Sequence, residues 1–218
     1  MRALKAVLRR LRRDTRGISL VELAVAMPVM LSLGLYGTEV AYMTVVNMEV
    51  SQIAISVADN ASRLGQTDNT SVMPTVNETQ IDSVMAGALV EGNSFDFNAH
   101  GRIILSSLEM NKDTRQQYIH WQRCSGDLGV GSAYGTAGTT LAGMGPAAHL
   151  IKAPDSSTAV MFVEVYYNYQ PLFGNVFVKN TMFHREATFI VRDNRNLTPN
   201  GSPDGITAGS SAPKSHCS

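Results

Sequence analysis

Between Glu22 and Glu39 the chain runs sixteen residues without a charge, and from Ile18 to Val46 those two glutamates are its only charged side chains. As a helix the uncharged stretch measures roughly 24 Å at ~1.5 Å per residue, which is marginal against the ~20 apolar residues a bilayer usually asks for. Glu22 lies close enough to the start of the run to reach an interface, so a membrane-spanning helix fits. The flank decides the orientation. Residues 1–17 hold seven basic residues (Arg2, Lys5, Arg9, Arg10, Arg12, Arg13 and Arg16) against Asp14, whereas the remaining 201 residues hold 11 basic and 17 acidic. A cationic tip of that strength predicts that residues 1–16 stay cytoplasmic and that everything after about Ala41 is exported.

Composition narrows the rest. The 218 residues give room for one ordinary domain plus a long appended helix. With 44% hydrophobic and 17% charged residues the chain is too apolar to be wholly disordered. Its formal net charge of zero argues against nucleic acid as a partner.

Two processing routes fit a basic tip followed by an apolar run, and they cut in different places. A secretory signal is cut after its apolar segment, at a small-x-small site, and only Ser32-Leu33-Gly34 qualifies, in the middle of the run. The other route cuts before the apolar segment. Gly17-Ile18-x-x-x-Glu22 has that arrangement and resembles a prepilin leader of the type IV pilin class. The resemblance implies cleavage by a prepilin peptidase, with Gly17 the last leader residue, Ile18 the new first residue and Glu22 the fifth. A carboxylate inside an apolar run is costly without a partner. The class implies one for Glu22, the free amine of a neighbouring subunit's Ile18, which would set register during assembly. The competing reading is a plain signal anchor with an incidental interfacial glutamate.

From Tyr42 onward the run turns one-sided. Val46, Val50, Ile53, Val57, Ala61 and Leu64 recur at helical spacing, and Gly65 stands where a glycine cap would end the helix. The pattern predicts one helix from Ile18 to Leu64, bent or loosened at Pro28. Residues 66–76 read as a polar loop. Asn77 opens a short helix carrying Ile81, Val84, Met85, Ala88 and Leu89, closed by Gly92. Strand-like runs follow at Arg102–Met110, Gln117–Cys124, Thr158–Tyr169 and Thr181–Arg192, with a Gly- and Ala-rich irregular segment at Ser125–Pro154. The expected fold is α+β and pilin-like, a long N-terminal helix on an antiparallel sheet. The expected divisions are a leader at 1–17, a transmembrane and assembly helix at 18–45, an exported α+β domain at 46–192 and a flexible polar tail at 193–218.

Residues 16–64, together with Met161-Phe162-Val163-Glu164-Val165-Tyr166-Tyr167-Asn168-Tyr169-Gln170-Pro171-Leu172-Phe173 and the aromatic Thr181–Arg192 run, resemble the TadE-like minor pilins of tight-adherence (Tad/Flp) pilus systems. Tyr118–Gly126 is similar to the same group. The resemblance does not separate TadE from the TadF and TadG types. It implies a subunit needed for pilus assembly and surface attachment, with a prepilin peptidase, other Tad pilins, an inner-membrane assembly platform and membrane lipid as partners, and with no nucleic acid or small-molecule substrate.

Cys124 and Cys217 both fall on the exported side, where an oxidising compartment would bridge them or leave two independent thiols. The five histidines show no metal-ligand spacing, so no metal and no cofactor is expected. No nucleophile elbow, phosphate loop or dinucleotide fingerprint is present. Glu164 has no second carboxylate or histidine at a readable spacing, which favours a structural role and an expectation of no catalysis. Two rivals remain: an uncut membrane-anchored periplasmic binding protein, and a secreted enzyme released near Gly34.

Overall fold

The computed structural model describes residues 17–65, 74–192, 195–198, 205–209 and 215–217. The expected leader up to Arg16, most of the expected 66–76 loop and most of the expected 193–218 tail lie outside the described residues. The fold is α+β, a long N-terminal helix followed by a five-stranded antiparallel sheet. Two compact units divide the chain. One holds the helix residues through Met43 together with Pro171–Lys179; the other holds Thr44–Gln170 and the chain from Asn180.

Helix α1 spans Ile18–Ser62 and stays helical through Pro28. Its first bond runs from the Val21 N–H to the Gly17 carbonyl at 3.1 Å. The helix stops two residues short of the expected Leu64, because its last turn tightens. Arg63 and Leu64 donate to carbonyls three residues back, at 3.1 and 3.3 Å, and Gly65 then takes φ +78°. The most apolar 18-residue stretch of α1 has a mean hydropathy of 2.0 and none of it is buried, which is long and apolar enough to cross a membrane.

In the second unit the predicted stripe is buried: Val46, Val50, Ile53, Val57 and Ala61 are at most 1% exposed, and Ala54 and Ala58 widen it. Each fully buried branched side chain here contributes about 1.5–3 kcal/mol. Strand β1 (Val76–Asn77) leads into α2 (Glu78–Glu91). Asn77 Oδ1 accepts from the Gln80 N–H at 2.9 Å, and Gln80 Oε1 accepts from the Asn77 N–H at 3.2 Å. This reciprocal box fixes the start of the helix. A 3-10 turn at Gly92–Phe95 and the single turn α3 (Phe97–His100) follow. A Cβ on Gly92 would lie 2.4 Å from Phe97 Cβ and 3.2 Å from Ile53 Cδ1, so α1 and this corner meet where only glycine fits. Phe97 in turn stacks on Tyr167 at 5.9 Å.

The sheet is built from β2 (Gly101–Met110), β3 (Gln117–Ser125), β4 (Thr140–Leu141), β5 (Val160–Asn168) and β6 (Met182–Ile190), in the order β4-β3-β2-β5-β6. A two-residue strand β7 (Ile206–Thr207) pairs in parallel with β1. From Val160 to Tyr167 every residue of β5 is buried, on both faces. The second face is covered by the segment expected to be irregular. Leu141, Met144, Ile151 and Ala153 pack with Leu108, Ile119, Val160 and Phe162, while Leu128 and Val130 lie on Ile104, Cys124 and Tyr166. That segment also contributes β4 and a bridge between Met144 and Ile151.

The expected flexible tail is instead fastened at its described residues. Arg195 is buried and donates to the carbonyls of Ala61, Ser62 and Leu64 at the end of α1. Ser215 donates to Asp82 at 2.7 Å, and His216 forms a β-bridge with Arg123. A polar composition does not prevent ordering when a buried guanidinium needs carbonyl partners.

Candidate functional site

Gly17 and Ile18 sit at the mouth of α1. A Cβ added at Gly17 would meet nothing within 4 Å among the described residues, and Ile18 is 51% exposed. Both residues of that junction are thus exposed, and its C-terminal side is already helical. One turn on, at i+4 on the same face and about 6 Å along the axis, stands Glu22. It is exposed, and among the described residues it has no hydrogen-bond or ion-pair partner. Around it Leu20, Val21, Leu23, Val25 and Met30 are between 56% and 74% exposed. The start of the chain's described part is a bare apolar rod bearing one carboxylate.

Cys124 and Cys217 are joined in a disulfide with Cα atoms 4.8 Å apart. The neighbouring backbone assists: the Cys124 N–H donates to the Ser215 carbonyl. Arg123, beside the bridge, pairs with Glu78 through both guanidinium arms, Nε lying 3.0 Å from Oε2. Both partners are buried, so breaking this pair would leave a desolvated charge.

The sheet also assembles a polar cluster that the sequence spacing hid. Glu164 on β5 stands directly opposite Glu186 on β6, and Tyr166 opposite His184. Oxygen ligands from the two carboxylates and a ring nitrogen of His184 lie within 4.8 Å of one another. His184 Nε2 is 3.8 Å from Glu164 and 3.5 Å from Glu186. The ring stacks on Tyr166 at 4.2 Å.

Glu164 is fully buried and accepts from Ser132 Oγ, from the Ala133 N–H at 2.8 Å and from Tyr166 Oη at 2.9 Å. Tyr134 Oη donates to Glu186 at 2.6 Å. Burial and then the adjoining carboxylates push both tyrosine hydroxyls up in pKa, keeping them donors. Three neutral donors hold the Glu164 charge and clamp the 132–134 stretch to the sheet. The set of two carboxylates and one imidazole is also of the type that ligates a divalent cation.

Sequence reasoning found Glu164 but not its companions, because they become neighbours only through the strand register. Pairing the two best strands as a hairpin would have revealed them. A second unforeseen residue is Glu39. Among the described residues from Gly17 to Val45 it alone is buried. Its oxygens accept from the backbone N–H of Leu172 at 3.3 Å and of Phe173 at 3.0 Å.

Comparison of this chain with protein-family models, with curated proteins and with solved structures returned no match.

Proposed function

We propose that the chain is a minor pilin or pseudopilin of a TadE-like kind, placed in the inner membrane by α1 and used in pilus assembly and surface attachment. One observation carries the reading: from Ile18 to Thr38 every residue of the helix is exposed and only Glu22 is charged, and that carboxylate stands one turn beyond an exposed Gly17–Ile18 junction. Such a surface needs lipid or other apolar helices around it, and a carboxylate on it needs a cation. Cutting after Gly17 supplies that cation at the first residue of each neighbouring copy. An ordinary anchor needs neither the junction nor the carboxylate.

The intact mass and N-terminal sequence of the full chain, co-expressed with a prepilin peptidase and extracted from membranes, test this. The expected product starts at Ile18. A chain starting at Met1 would leave an uncut anchored protein, and one starting near Leu35 a secreted domain. Given correct cleavage, Glu22→Ala should still insert in the membrane yet fail to enter sheared filaments. Normal incorporation of Glu22→Ala would remove the assembly role.

A further inference from the structure

We infer that the β5–β6 connection, Pro171–Lys179, is a membrane-embedded cap that lies in the outer boundary of the bilayer and shields Glu39 there. The inference rests on the membrane-spanning part of the reading above and does not require cleavage after Gly17.

The argument starts from length. Glu39 lies seventeen positions after Glu22, about 26 Å of helix against a hydrocarbon core of about 30 Å. With Glu22 at the inner boundary, Glu39 falls about 4 Å short of the outer one. A bare carboxylate there is unfavourable. It is not bare. Along α1 from Ile18 to Ala41 every residue but Glu39 is exposed, and the cover over Glu39 is the 171–179 connection, through the Leu172 and Phe173 amides. Backbone N–H groups satisfy the carboxylate without water, which is what a site at lipid depth requires.

The outward side of the same connection has matching chemistry. From Pro171 to Val178 there is no charge. Leu172 is 50% and Val176 78% exposed. Phe177 lies against Tyr36 of α1 at 6.1 Å and against Phe173 at 6.3 Å. Exposed Lys179 closes the stretch, where an ammonium would reach lipid headgroups. Apolar tips, rings and a terminal lysine form the order of an interfacial segment, continuous with the apolar surface of the helix in one compact unit. The partner committed to is therefore phospholipid at the acyl–headgroup boundary.

Because Cys124 and Cys217 are bridged, a single added thiol can be labelled selectively. Full-length Val176→Cys, Met30→Cys and Leu150→Cys variants would each carry an environment-sensitive fluorophore in phosphatidylethanolamine–phosphatidylglycerol vesicles, with nitroxide lipids as quenchers. Met30 lies mid-span and Leu150 on the other unit. The expected result is blue-shifted emission at positions 176 and 30, with 176 quenched best by a shallow nitroxide and 30 by a deep one. Position 150 should stay water-like.

Water-like emission at 176 with normal quenching at 30 would overturn the cap and leave the span standing. A blue-shifted 176 that lipid nitroxides do not quench would also overturn it, since protein would then be the cover. Loss of quenching at 30 would remove the span, and the cap with it. Phe173→Pro, which deletes the N–H donor, should move the 176 signal toward water while leaving 30 unchanged; no change at 176 would count against the amide–Glu39 link.

Discussion

Glu164 shows how one buried charge can organise a segment of low sequence complexity. Its donors come from Ser132, Ala133 and Tyr166, so removing the carboxylate orphans three groups at once. Glu164→Ala should destabilise the intact chain by roughly 3 kcal/mol or more. Hydrogen exchange should rise most at 132–134, and urea melts in detergent give the magnitude. Tyr118 makes a pH-dependent prediction. Burial, followed by the charge of Glu109, pushes its hydroxyl up from 10.0 to about 12. Below pH 10 both states hold the proton and no dependence arises. Between 10 and 12 the unfolded chain ionises while the folded one does not, so stability falls as pH rises through that window. Tyr118→Phe should flatten part of that slope in melts taken across the alkaline range.

Among the elements, α1 offers a paired test of its two faces. Ile53 is fully buried and Ile55 is 52% exposed. Ile53→Ala should cost about 2–5 kcal/mol, and Ile55→Ala within about 0.5 kcal/mol of nothing, both read as shifts in denaturation midpoint. Helices and major strands are legible in the sequence, because their signals are local: a stripe at helical spacing ending near Gly65, an Asn77 that opens a helix, an alternating run around Val163 and an apolar run around Phe189. What was not legible depends on contacts far apart in sequence. The segment 126–154 covers a sheet face with Leu128, Val130, Tyr134, Met144 and Ile151, spaced with no period for a pattern to reveal. The Glu164–Glu186 pairing depends on a register that the long 169–181 connection leaves open. Glu39 reads in sequence as the end of an apolar run, and only its burial marks it as something else.

At the scale of the whole chain, the described polar residues near the C-terminus prove to be structural. They return to β1, to α2 and to β3, and the Cys124–Cys217 bond makes the return covalent across a separation of 93 residues. Cys217→Ser should lower stability by about 2–5 kcal/mol, and reductant should reproduce that loss in the parent but not in the variant, followed by thermal melts. The closure also has a mechanical consequence. A pull applied beyond Cys217 passes through sulfur into β3, so β5, β6 and the covering segment are out of the load path. About 300 Å of extended chain is thereby denied to stretching, and only reduction of the bond releases it.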